Sequence, residues 1–258
     1  MTEDTAMQVA DLLRASGVRG VVISGGEPTL LPYLARLVES LSADLPSGRP
    51  GPRVVLSTNG LASLRVMERV LPHLAWIALP VESGSLAEHQ AMRAGVPAHR
   101  ARVLNLLREV RKNHAAVQVK LGTVITRWNV AGAARVLDLI EDFCLPDVWK
   151  IYQMSETNYG ADNKGLLSLT DRQFDEAADR CAKAARHRDV RLRVYRNSTR
   201  SGSYLFIDPD CQMVVIDDGS ERRIGRLLER PEDVRAVLSD VSLGAGLAEN
   251  FTGTYPEA

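Results

Sequence analysis

Cysteine is scarce in this sequence: Cys144, Cys181 and Cys211 are its three, odd in number and far apart. Such a set fits neither a disulfide framework nor a closed zinc site. An excess of one charge is also missing, with 32 basic against 32 acidic side chains. That argues against a binder of nucleic-acid polymers, which carries a basic surplus, while leaving room for a small basic pocket. No apolar run approaches the roughly 18 residues of a membrane helix. The opening segment MTEDTAMQVADLL is acidic and amphipathic, without the basic region and apolar stretch of a signal peptide. The expectation is a soluble, cytoplasmic protein with neither a membrane nor a nucleic-acid polymer as partner. Core material, by contrast, is plentiful. A 45% hydrophobic share over 258 residues excludes disorder as the main state. That length suits one large α/β domain, or a domain with an appendage.

Apolar periodicity alternates along the chain. Residues 5–16 read as an amphipathic helix ending at Gly17, and RGVVIS (19–24) as a buried strand. Helix and strand then take turns: a helix over 31–45, strand 53–57, a helix broken at Pro72, strand 76–82, helix 98–114, strand 117–126, helix 131–143 and strand 148–154. Five strand–helix units in a row predict a parallel sheet with right-handed crossovers. The fold class expected is α/β, a partial (β/α) barrel rather than a closed one of eight strands. From residue 155 the character changes. Residues 155–167 read as a loop, Thr170 as the N-cap of a helix to about 186, and VRLRVY as a strand. SYLFIDPDCQMVVI reads as a hairpin turning at Asp208-Pro209-Asp210, and the stretch from about Gly244 as loose. The division expected is a barrel core over 1–160 and an α+β extension over 161–258.

Ligands of parallel α/β folds sit at the carboxyl ends of the strands. The first end carries Gly25, Gly26, Glu27 and Pro28. Two glycines let backbone approach a ligand, and Glu27 is suited to an ammonium group, although a plain strand-to-helix turn has the same look. It is neither a phosphate loop nor a dinucleotide fingerprint. The second end, Ser57-Thr58-Asn59-Gly60, is by itself a common polar turn. The third, Glu82-Ser83-Gly84, offers a carboxylate for ribose hydroxyls or merely a solvated acid. Lys120 and Lys150 each interrupt an apolar strand. A lysine there has to reach water, an anion or a carboxylate, because an unpaired buried charge is costly. Two on adjacent strands favour a pocket for an anion. Arg127 and Asn129 close the fourth strand, and Arg93 follows the loop of the third.

Taken in order, these strand ends resemble the radical S-adenosylmethionine superfamily. GVRGVVISGGEPTLLP is similar to its helix, strand and GGE motif, and the likeness runs over about residues 5–155. VKLGTVITRWNV, VWKIYQM and SYLFIDPD resemble the viperin-like branch, whose members act on nucleoside triphosphates. The resemblance implies that Gly25, Gly26, Glu27 and Pro28 meet the methionine amino group of S-adenosylmethionine. Ser57 and Asn59 would lie near that cofactor, with Glu82, Ser83 and Arg93 at its ribose and carboxylate. Lys120, Lys150, Tyr152, Arg127 and Asn129 would face a small, nucleotide-like anionic substrate.

That family holds a [4Fe–4S] cluster on C-x3-C-x2-C, and the motif does not occur in this sequence. Without thiolates there is no cluster, and no reductive cleavage of the cofactor to a 5′-deoxyadenosyl radical. The three cysteines read instead as buried or incidental thiols. Three expectations stay open: a cluster-bearing segment upstream of this sequence, a cluster-free relative doing polar chemistry, or a non-catalytic partner of a complete homologue. An exposed sheet edge would favour a partner or a homo-oligomer. A partial-barrel binding module unrelated to S-adenosylmethionine is the remaining alternative.

Overall fold

The Thr2 hydroxyl accepts a hydrogen bond from the Thr5 amide and opens α1 (Glu3–Ala15), which buries Ala6, Val9, Ala10 and Leu13 along one stripe. The computed structural model describes residues 1–156, 159–197, 204–217 and 220–229. After α1 come β1 (Gly20–Ile23), α2 (Leu34–Ser42), β2 (Arg53–Ser57), α3 (Leu64–Val70), β3 (Trp76–Pro80), α4 (Leu86–Met92), α5 (His99–Asn113) and β4 (Gln118–Ile125). Then follow α6 (Val136–Ile140), β5 (Val148–Gln153), α7 (Tyr159–Asp162), α8 (Lys164–Leu167), α9 (Asp171–His187) and β6 (Arg191–Tyr195). The last described strands are β7 (Tyr204–Ile207), β8 (Gln212–Asp217) and β9 (Ser220–Arg226).

The main sheet has the order β1-β2-β3-β4-β5-β6, and the pairs from β2 to β6 are parallel. It is the α/β sheet expected, open rather than closed. Contacts divide the chain into two units. One gathers Met1–Val21, Pro32–Val54 and β7–β9; in it α1 packs on α2, and an antiparallel β7-β8-β9 sheet centres on Val215. The other holds Val22–Leu31 and the chain from Val55 through β6.

In this second unit, side chains alternate across β4 and β5. Val119, Leu121, Thr123, Ile125, Trp149, Ile151 and Gln153 are buried. Gly122, Val124, Lys150 and Tyr152 are half-exposed. α9 packs on β5 and β6. On the buried face Trp149 Nε1 donates to Thr123 Oγ1 at 2.9 Å, and that hydroxyl donates to the Val81 carbonyl at 2.6 Å.

The hairpin and the capped helix stand where the sequence predicts them: Thr170 forms a full capping box with Gln173. Three expectations are corrected. The segment 155–167 contains α7 and α8, and α4 follows Glu82-Ser83-Gly84, where no helix was foreseen. These are short helices without a long apolar period, so pattern alone passes over them. The expected division at 160 also moves. β6 pairs in parallel with β5, so α9 and β6 continue the main sheet instead of starting an extension. The stretch from Gly244 lies outside the described residues. Among the described residues no helix is long and apolar enough to cross a membrane.

Candidate functional site

At the end of β1 the backbone turns through Gly25, whose φ of +119° favours glycine. A Cβ built on Gly25 or on Gly26 would meet no atom within 4 Å. Among the described residues nothing fills the space beside these two peptides, which is what a cradle for a ligand requires. Glu27 follows as N-cap of the 3-10 turn Pro28–Leu30. Its Oε1 accepts from the Thr29 amide (3.1 Å), the Thr29 hydroxyl (2.6 Å) and the Thr58 hydroxyl (2.6 Å), and Oε2 from the Asn59 amide (2.7 Å). Burial pushes this carboxyl up, but the hydrogen bonds outweigh it and hold it below the ordinary value. Glu27 is therefore an ionised brace between the ends of β1 and β2. Its Oε2, with one donor, keeps capacity for another, such as an ammonium group.

Thr58 was passed over in the sequence because a hydroxyl in a polar turn carries no signal of its own. Its partner is 31 residues away. Ser57 is half-buried beside it. Asn59 Oδ1 accepts from the Leu61 amide at 2.8 Å, which shapes the turn through Gly60 at φ +75°.

Beyond β3, Glu82 is only 2% exposed. It accepts from Arg93 at 2.5 Å and from the Val124 amide at 3.0 Å. Burial pushes its carboxyl above the ordinary value, against the pull of Arg93. Ser83 is fully buried, donating to Glu88 at 2.6 Å and accepting from the Ser85 amide. The acid and serine expected at a ribose are thus engaged inside the protein, and Arg93 is the member of the group that reaches solvent. Asn129 is also enclosed: its amide donates to the carbonyls of Glu82 (2.7 Å) and Val124 (2.8 Å), and Oδ1 accepts from the Thr126 amide (2.8 Å). It braces a loop, which corrects its expected place facing a substrate. Arg127 is exposed and reaches the Gly165 carbonyl at 3.4 Å.

Two histidines outside the sequence reading lie beneath this cluster. The Glu82 amide donates to His89 Nδ1, so the His89 proton sits on Nε2 and is directed at His99 Nδ1, 2.9 Å away. Burial, the neighbouring ring and Arg93 push His89 down to about 4; burial and Arg93 push His99 down to about 4. Both are neutral near pH 7.

On the half-exposed side of the sheet, Lys120 is 4% exposed and lies over the Trp76 ring, 4.5 Å from its centroid. An aromatic face, which sequence reasoning did not foresee, supports this lysine. Lys150 stands two positions further along the register, opposite Gly122, and 5.3 Å from the centroid of Tyr195. Burial, with Arg193 adding to it, pushes Lys150 down to about 8. Tyr152 stacks on Tyr195 at 4.9 Å between centroids.

All three cysteines are buried and free, and burial raises each thiol, Cys181 to about 12. They are protonated thiols, unsuited to ligating iron. Among the described residues no cluster of His, Cys, Asp or Glu could hold a metal ion.

The family model of the radical SAM superfamily matches residues 1–139. The chain is 22% identical over 233 residues to an S-adenosylmethionine-dependent nucleotide dehydratase of Flammeovirga pacifica, covering 89% of this chain and 75% of that one. It is 24% identical over 219 residues to a protein of the same description from Lacinutrix mariniflava, covering 81% of this chain but 42% of the relative, so it spans less than half that protein's length. Among solved structures, Streptococcus suis SuiB bound to its precursor peptide SuiA superposes with a TM-score of 0.51 at 14% identity, over 74% of this chain and 41% of that one. That last likeness speaks to the fold alone.

Proposed function

The chain belongs to the radical SAM superfamily, and from that premise we propose that it binds S-adenosylmethionine at the ends of β1–β3 and a nucleotide-like anionic substrate beside β4 and β5. The carrying observation is the Glu27 brace next to two peptides with open space beside them. Membership in the family implies S-adenosylmethionine together with a [4Fe–4S] cluster. The described residues fit the first and not the second, since the three thiols are buried, separate and protonated. The electron-transfer half of the family's reaction needs thiolates that these residues do not supply. The reading for this chain is therefore the binding and orientation of cofactor and substrate.

In that reading the peptides of Gly25 and Gly26 and the Oε2 of Glu27 receive the cofactor's amino group, and Arg93 its carboxylate. Glu27 stays ionised because its hydrogen bonds outweigh burial, so no proton has to leave before an ammonium binds. Glu82 holds Arg93 in place. When bound, S-adenosylmethionine supplies a sulfonium centre whose carbon–sulfur bond is the reactive one. The substrate's phosphates are the reason for lysines on two neighbouring strands, as the nucleotide-acting relatives suggest.

The test is equilibrium binding of S-adenosylhomocysteine. Glu27→Gln keeps an acceptor for Thr29 and Thr58 but removes the charge and the acceptor of the Asn59 amide, and should weaken binding about tenfold or more. Unchanged affinity would overturn the assigned role of Glu27, and no binding by the unaltered protein would overturn the cofactor reading.

A further inference from the structure

Sequence pattern alone assigns β6 to a separate extension and singles out none of its residues. In the structure it is the sheet neighbour of β5, with Lys150 directly opposite Arg193 and Tyr152 directly opposite Tyr195. Like charges placed opposite each other on neighbouring strands repel and lower stability. Neither Lys150 nor Arg193 has a carboxylate within ion-pair distance among the described residues. The fold has acids to spare for this purpose elsewhere. Arg196 pairs with Asp175 at 2.8 Å only three positions further on, and Arg188 pairs with Asp138 and Glu141. Yet β3, β4, β5 and β6 contain no aspartate or glutamate, while they carry Lys120, Lys150, Arg191 and Arg193. The position opposite Lys150 on its other side is Gly122, where, among the described residues, an added Cβ would meet only the Tyr152 ring, at 3.6 Å. Beside Lys150 there is therefore room, and next to the two cations a stacked pair of rings.

We propose that β6 completes the substrate site: Arg193 joins Lys150 as a two-point anchor for a polyanion, and the Tyr152–Tyr195 stack is the wall for a ring carried by the same ligand. The ligand class is a nucleoside polyphosphate. This deepens the reading above, and rests on it only for the identification of the anion-bearing ligand as the substrate. The geometry shifts the weight from the pair Lys120 and Lys150 to the pair Lys150 and Arg193. Lys120 is enclosed against Trp76, whereas Lys150 and Arg193 share one register position and retain accessible surface. The anion supplies the counter-charge that the strands lack, and the ring is positioned by contact rather than by hydrogen bonds.

The experiment measures, on the full chain, binding of tripolyphosphate, of ATP, GTP, CTP and UTP, and of S-adenosylhomocysteine. The expected result is that tripolyphosphate and at least one nucleotide bind, more weakly at high salt. Arg193→Met should weaken both about tenfold or more while leaving S-adenosylhomocysteine within about twofold, as one charge-assisted anchor is lost. Arg193→Lys should restore part of the loss. Tyr195→Ala should weaken the nucleotide about fivefold or more and tripolyphosphate less than twofold, the signature of lost ring contact. Tripolyphosphate affinity unchanged in Arg193→Met would overturn the anchor, and equal loss of both ligands in Tyr195→Ala would overturn the wall. No binding of tripolyphosphate or of any nucleotide by the unaltered chain would overturn the proposal outright. Loss of S-adenosylhomocysteine binding alone would instead count against the cofactor reading and leave the anion site standing.

Discussion

The polar cluster around Glu82 and the cationic face of β5 and β6 handle polarity in opposite ways. Around Glu82, the side chain of Asn129 and both carboxylate oxygens of Glu82 are matched inside the protein. On β5 and β6, Lys150 and Arg193 face each other, and among the described residues neither has a carboxylate within ion-pair distance. The first arrangement is what folding favours, because a buried polar group without a partner costs about 1–3 kcal/mol. The second is what folding disfavours, since like charges opposite each other on neighbouring strands repel. Chemistry-bearing residues therefore sort by how well they are satisfied rather than by how striking they look in the sequence. By this measure Asn129 and Ser83 are satisfied within the fold, whereas Lys150 and Arg193 face each other as like charges.

The largest effect should come from the framework. Asn129→Ala removes the four hydrogen bonds of a fully buried side chain and should lower stability by about 3 kcal/mol or more, read from urea unfolding. A loss below about 1 kcal/mol would erase the distinction. Lys150→Met should act with the opposite sign. It replaces an uncompensated, half-buried cation by an apolar side chain, and should raise stability by about 1 kcal/mol or more while tripolyphosphate binding is lost. A destabilised Lys150→Met variant would mean that the lysine is framework too.

pH separates the two regions further. His89 and His99 are held neutral down to about 4, below the ordinary histidine value, so the unfolded chain binds more protons between about 4 and 6.5. Their contribution to stability is complete above that window and should fade as pH falls through it. Urea midpoints at pH 7.5 and 5 check this, and the fall should shrink in His89→Leu. Anion binding should respond on the other side of neutrality. Lys150, pushed to about 8 by burial and Arg193, loses its charge as pH rises through that value. Tripolyphosphate affinity should decline there, with a flatter profile in Lys150→Met. This is the smallest of the effects, since Arg193 keeps its charge throughout.

Much of the architecture was legible beforehand. β2 spans Arg53–Ser57, as its apolar run predicts, because a short β-branched run between turn residues has few other uses. Thr170 opens α9 through the hydroxyl-to-amide bond that its position implies. The Gly-Gly-Glu-Pro turn and the two strand lysines stood out for reasons of local chemistry alone. Less legible were residues whose meaning lies in a distant partner. His89 sits on the short α4, where nothing in the local pattern distinguishes it from a surface histidine, and its partner is another histidine. Thr58 matters through Glu27, and Asn129 changes its apparent role once the Glu82 carbonyl is beside it.

The alternation of strand and helix, the buried stripe of each helix and the polar residues at the strand ends are all written in local pattern. These follow from side-chain period and backbone preference, which act over a few residues. That β6 lies beside β5, bringing Arg193 opposite Lys150 across 43 positions of chain, and that Lys120 rests on Trp76, comes from how the elements pack. Strand neighbours are chosen by the packing of whole elements and by the burial of the sheet's other face against α9. No stretch of a few residues encodes that choice, so the juxtaposition of Lys150 and Arg193 becomes visible only once the strands are side by side.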